Sequence, residues 1–162
     1  MGNSTPPPRT PKHIFTDISV QLTGFNRAEL AGTGMVDAYY DTLLRMIGER
    51  EAGQLFRYAE DAFAEDRSTK AENGPAFRAA VVESPRFGPV ALSLIKLWYL
   101  GRWYPLPGAY RDRYGATADD TEHVVSSQSH REGLVWAAAG AHPMGAKGPG
   151  FGSWAEPPAL LP

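Results

Sequence analysis

Apolar residues return at every fourth position in this chain, as Ile14, Ile18 and Leu22 and again as Met35, Tyr39, Leu43 and Ile47. That spacing gathers the apolar side chains on one face of a 3.6-residue helix. Nowhere does the sequence offer the alternative, an alternating run of β-branched residues bounded by hairpin turns. The pattern predicts an all-α fold, and no internal repeat of fixed period points to a solenoid.

Helix boundaries follow from the punctuation. A first helix is expected over 13–22, ended by Gly24, with Asn26 and Glu29 three positions later opening a brief turn by reciprocal capping. A second begins near Thr33 and runs to Gly48. Leu55, Phe56, Ala59, Ala62 and Phe63 keep a helical period over 51–66, and Phe77, Val81 and Val82 mark a shorter piece. Ser84 followed by Pro85 predicts a capped helix start, because the N–H that proline lacks has no partner in a first turn anyway. Phe87, Val90, Ala91, Leu94, Ile95 and Trp98 form the apolar face of that helix, and Gly101 ends it. A last helix is expected over 118–139, with Thr117 as its cap.

The 14 prolines and 17 glycines concentrate at the two ends and around residues 101–115. They divide the chain into an extended N-terminal arm over 1–12, a single compact helical domain over 13–139, and a long Gly/Pro-rich partner-binding arm over 140–162. Between Arg102 and Gly115, Pro105 and Pro107 forbid helix and leave an aromatic loop.

Composition narrows the chemistry. With 162 residues the chain accommodates one domain, and 16 basic against 18 acidic residues, interspersed, leave no footprint for nucleic acid or an anionic membrane. The absence of cysteine excludes disulfides, thiolate metal sites and thiol nucleophiles within the chain. Met1 to Lys12 holds no apolar run of signal-peptide length, and no segment reads as a membrane span. The expected location is cytoplasmic, or periplasmic if a signal-bearing partner carries the chain across.

Motifs for catalysis are weak. His123 and His130 lie two helical turns apart on the expected last helix, a separation of about 10 Å that one metal ion does not bridge. A small self-sufficient metal protein or enzyme built on these two histidines is the alternative reading. The serines beside His130 lack the strand–turn–helix setting of a nucleophile elbow. No Gly-x-Gly-x-x-Gly or P-loop is present, so no cofactor site, no metal site and no catalytic residue is expected in this chain.

Aromatic placement is more informative. Trp98, Tyr99, Trp103 and Tyr104 cluster at a helix end and the loop after it, while Phe151 and Trp154 sit among glycines and prolines with no helix to pack from. Large rings in such settings suit interface anchors.

Three stretches carry a family resemblance. Leu94-Ile-Lys-Leu-Trp-Tyr-Leu-Gly101 resembles the W-Y-L-G helix of the small subunits of flavin-dependent sugar and sugar-alcohol dehydrogenases, the sorbitol, fructose and glucose dehydrogenase group. Ser19-Val-Gln-Leu-Thr-Gly24 is similar to their S-x-x-L-T-G opening, and Phe151-Gly-Ser-Trp-Ala-Glu-Pro-Pro158 to their terminal G-Y/F-W-A-x-x-P element. The resemblance implies a bacterial, helical subunit without a redox centre, which stabilises and chaperones a larger catalytic partner of the glucose-methanol-choline type. FAD resides in that partner, which oxidises CH–OH groups, and a cytochrome c subunit is a further candidate partner. Mapped onto this sequence, the resemblance assigns the partner interface to Trp98, Tyr99, Trp103, Tyr104, Phe151, Trp154 and Pro157.

Overall fold

The computed structural model describes residues 9–72 and 74–143. The fold is mostly helical, with one minimal two-stranded sheet. The sequence-predicted arm at 1–12 and the anchors Phe151, Trp154 and Pro157 lie wholly or largely outside the described residues.

Helix α1 (Pro11–Thr23) begins where Thr10 accepts a hydrogen bond from the His13 N–H, and it ends at Gly24, whose φ of +77° suits a residue without a Cβ. The next helix, α2 (Arg27–Gly32), carries the expected capping box. The Asn26 side chain accepts from the Glu29 N–H, and the Glu29 carboxylate accepts from the Asn26 N–H.

Helix α3 (Val36–Ile47) starts slightly later than Thr33, which instead turns the chain by accepting from the Met35 N–H. Gly48 separates it from α4 (Glu49–Thr69), the longest element. At its far end the Asp66 carboxylate accepts from the N–H groups of Ala76 and Phe77, which ties down the short α5 (Pro75–Phe77).

A π-helical turn over Arg78–Val82 follows, and then α6 (Gly88–Leu100). Ser84 does cap, accepting from the N–H groups of Arg86 and Phe87, but it caps a turn rather than the helix itself. Regular helix begins only at Gly88. A Cβ there would stand 2.8 Å from the Val82 carbonyl, so the π turn and the start of α6 pack backbone against backbone.

Beyond α6 the expectations need correction. The chain forms β1 (Arg102–Trp103), α7 (Gly108–Tyr114) and β2 (His123–Val124), then two short helices, α8 (Ser127–Arg131) and α9 (Leu134–Ala138). No continuous helix spans 118–139. The two strands pair antiparallel, Arg102 opposite Val124 and Trp103 opposite His123.

Three local demands break that helix. Asp120 is pulled into the core by donors from the aromatic loop. Ser126 and Ser129 cap each other's backbone and start a fresh helix. Gly133 passes so close to α6 that a Cβ would lie 2.7 Å from the Tyr99 carbonyl.

The core lies between α1, α3, α4 and α6. Phe15 stacks on Trp98, and Tyr39 meets the same indole edge to face at 4.7 Å between ring centres. Among the described residues no helix is long and apolar enough to cross a membrane.

Candidate functional site

The opening stretch Ser19–Gly24 and the later stretch Leu94–Gly101 meet in space, because α1 packs along α6. Two hydrogen bonds pin the pair. The Trp98 indole N–H donates to the Ser19 hydroxyl at 3.0 Å, and the Tyr99 hydroxyl donates to the Thr23 carbonyl at 2.9 Å. The Ser19 hydroxyl in turn donates to the Phe15 carbonyl, so every polar atom of this buried junction has a partner. Phe25 closes the end of it, edge to face with Tyr99.

Trp103 is held by a second node. Its indole N–H donates to Oδ1 of Asp120 at 2.7 Å, and the Leu106 N–H donates to the same carboxylate. Arg111 adds a guanidinium 2.8 Å from Oδ2 and also donates to the Asp120 carbonyl. Asp120 is fully buried, and a buried carboxylate persists only where charge-assisted partners of this kind surround it. A third node fixes the base of the aromatic loop. Arg86 grips the buried Glu51 carboxylate with two bonds of 2.7 Å, while burial first, and the Glu51 charge next, push the nearby Tyr110 hydroxyl well above its ordinary pKa.

These nodes revise the expected interface. Trp98 and Trp103 are 1% and 0% exposed, and both satisfy their N–H groups within the chain. They form the core, and neither offers a ring to a partner. Tyr99 and Tyr104 are half-buried. The Lys96 ammonium sits over the Tyr104 ring, 4.9 Å from its centre.

What the aromatic motif missed lies on the opposite side of the same helix. Leu92 and Leu100 are 53% and 42% exposed, and with Lys96 between them they occupy positions i, i+4 and i+8 of α6. Ile95 and Tyr99 flank this stripe, half-buried. Lys96 is the one charged residue in the thirteen of α6. A helix apolar on nearly all sides is characteristic of one covered on all sides. Counting charges around the helix, rather than seeking its most apolar face, is the signal that finds the stripe.

The histidines do not converge. His123 lies on β2 with Nδ1 2.7 Å from the Thr121 carbonyl and Nε2 3.3 Å from the Arg45 guanidinium, so both ring nitrogens are engaged within the chain. His130 sits exposed on α8 against the edge of Trp136. The strand and turn between them remove the shared helical face on which a joint role depended. Among the described residues no group of three or more His, Cys, Asp or Glu side chains is arranged to hold a metal ion.

One further feature is a cleft of about 570 Å³ between α2 and α9, lined on its apolar side by Phe25, Leu134, Trp136 and Ala137. Comparison with family models, with curated proteins and with solved structures finds no match to this chain.

Proposed function

We propose that this chain is the non-catalytic small subunit of an FAD-dependent sugar, glycoside or sugar-alcohol dehydrogenase, stabilising a larger flavin-bearing subunit. The observation that supports this reading is the outward stripe of α6, where Leu92 and Leu100 face solvent from a helix bearing a single charge. Exposed apolar side chains aligned on one rigid helix suit a protein partner better than a small substrate. The resemblance adds to it, since two of the three stretches that carry it, on α1 and α6, are the ones bonded through Trp98–Ser19 and Tyr99–Thr23. In this reading Trp98 and Trp103 set the rigidity of α6, while Leu92, Leu100, Tyr104 and the 151–158 segment make the contacts. Flavin and hydride chemistry belong to the partner.

The test is purification of the tagged chain from its native cells. The expected product is a yellow complex in which a larger protein carries FAD and reduces a dye in the presence of a sugar or polyol. The double variant Leu92→Asp/Leu100→Asp should weaken assembly at least tenfold, about 1.4 kcal/mol or more, with helicity unchanged by circular dichroism. A chain that purifies alone as a stable monomer, with no flavoprotein bound, counts against the proposal.

A further inference from the structure

The cleft between α2 and α9 differs from the α6 stripe in being concave, and the chain itself runs along its wall. Ala141, His142 and Pro143 line it together with Gly32 and Trp136, and Pro143 is buried. Pro143, the last described residue, therefore stands in the cleft wall, and residues 144–162 follow it in sequence. Phe151 follows Pro143 by eight residues and Trp154 by eleven. At about 3.3–3.6 Å per extended residue, the spacing from Pro143 to either ring is long enough to span the cleft.

We propose that this cleft is the seat of the chain's own segment 144–162, which enters it through Phe151 and Trp154. Three features select that occupant over a separate molecule. A tether this short gives the segment an effective concentration of order millimolar, which a free partner seldom matches. The cleft presents aromatic and aliphatic side chains, Phe25, Leu134 and Trp136, to which the two rings of the segment are chemically suited. Its rim carries both signs, Glu29 and Glu132 against Arg131, and the segment brings one charge of each sign, Lys147 and Glu156. Under the accessory-subunit reading, capture of a partner by the same segment requires its release from the cleft; the docking itself does not rest on that reading.

The absence of cysteine makes the experiment clean, because Ser153→Cys in the full chain accepts a single nitroxide label. With the label in place, the amide NMR signals of Phe25, Gly32, Trp136 and Ala137 should be lost to paramagnetic broadening while those of Arg57 and Asp61 on α4 persist. Gly32→Arg fills the cleft at an exposed helical position where no heavy atom crowds an added Cβ, and it should restore the lost signals. Ala137→Glu, also exposed, should do the same from the α9 side. Uniform broadening, broadening centred on Leu92 and Leu100, or losses that persist in both cleft variants would overturn the proposal. Losses that appear only when labelled and isotope-enriched chains are mixed would overturn it too, by assigning the cleft to a second copy.

Discussion

Asp120 shows how much a single residue carries here. It receives the Trp103 indole and the Leu106 N–H and pairs with Arg111, all at zero exposure of its own side chain. Asp120→Ala strands two buried donors and a guanidinium at once, so a loss of about 3 kcal/mol is expected, tempered by the solvent that reaches Arg111. Urea unfolding followed by circular dichroism measures it, and a loss below about 1 kcal/mol would show that the node is not the anchor of the loop. Tyr39 and Tyr110 make a second residue-scale prediction. Burial, aided by the charges of Glu132 and Glu51 respectively, raises both hydroxyls well above the ordinary tyrosine pKa of about 10. The folded state then holds protons that the unfolded chain releases, so this contribution is fully present below pH about 10 and is lost as pH rises beyond it. Unfolding midpoints should fall steeply between neutral and strongly alkaline pH, and less steeply in the double variant Tyr39→Phe/Tyr110→Phe. The Tyr39 hydroxyl lies against Ser129 without forming a hydrogen bond of good geometry, so Tyr39→Phe should leave neutral-pH stability nearly unchanged.

Helix α6 is the element around which the others are arranged, and its end is its most constrained point. Gly101 has φ of +67°, and a Cβ there would fall 2.2 Å from the Ser129 carbonyl oxygen, on backbone that has nowhere to move. Gly101→Ala is expected to cost about 3 kcal/mol or more, combining left-handed strain with displacement of α8. Gly24→Ala is the control. Its φ of +77° and ψ of -1° lie in the same left-handed region, with no heavy atom within 4 Å of the added Cβ, so strain alone should cost about 1 kcal/mol. Equal losses in thermal or urea denaturation would refute the packing argument. Elements whose signals are local were legible in the sequence. The Asn26–Glu29 capping box, the glycine stops at 24, 48 and 101, and the four-residue recurrence in α1 and α3 all stand in the structure. The stretch 118–139 was not legible, because its helical pattern is overridden by partners from distant elements: Trp103 and Leu106 for Asp120, Gly101 for Ser129, and Tyr99 for Gly133.

At the scale of the whole molecule, the functional proposal and the cleft proposal rest on surfaces that exist only once the helices are assembled. The Leu92–Leu100 stripe and the α2–α9 cleft lie on different elements that meet at Tyr99, which flanks the stripe and packs edge to face on Phe25 of the cleft. The sequence by itself determined the helical class, most helix boundaries before residue 102 and the glycine stop at the α6 end, because periodicity, capping and positive φ are properties of a few neighbouring residues. It also singled out Trp98 and Trp103 as consequential rings. Only the tertiary structure decided that both rings face inward and that the exposed positions of α6 are Leu92 and Leu100. The direction of a side chain on an apolar helix is set by what packs against each face, and here Ser19 and Asp120, 79 and 17 residues away, supply the partners that turn the two indoles into the core.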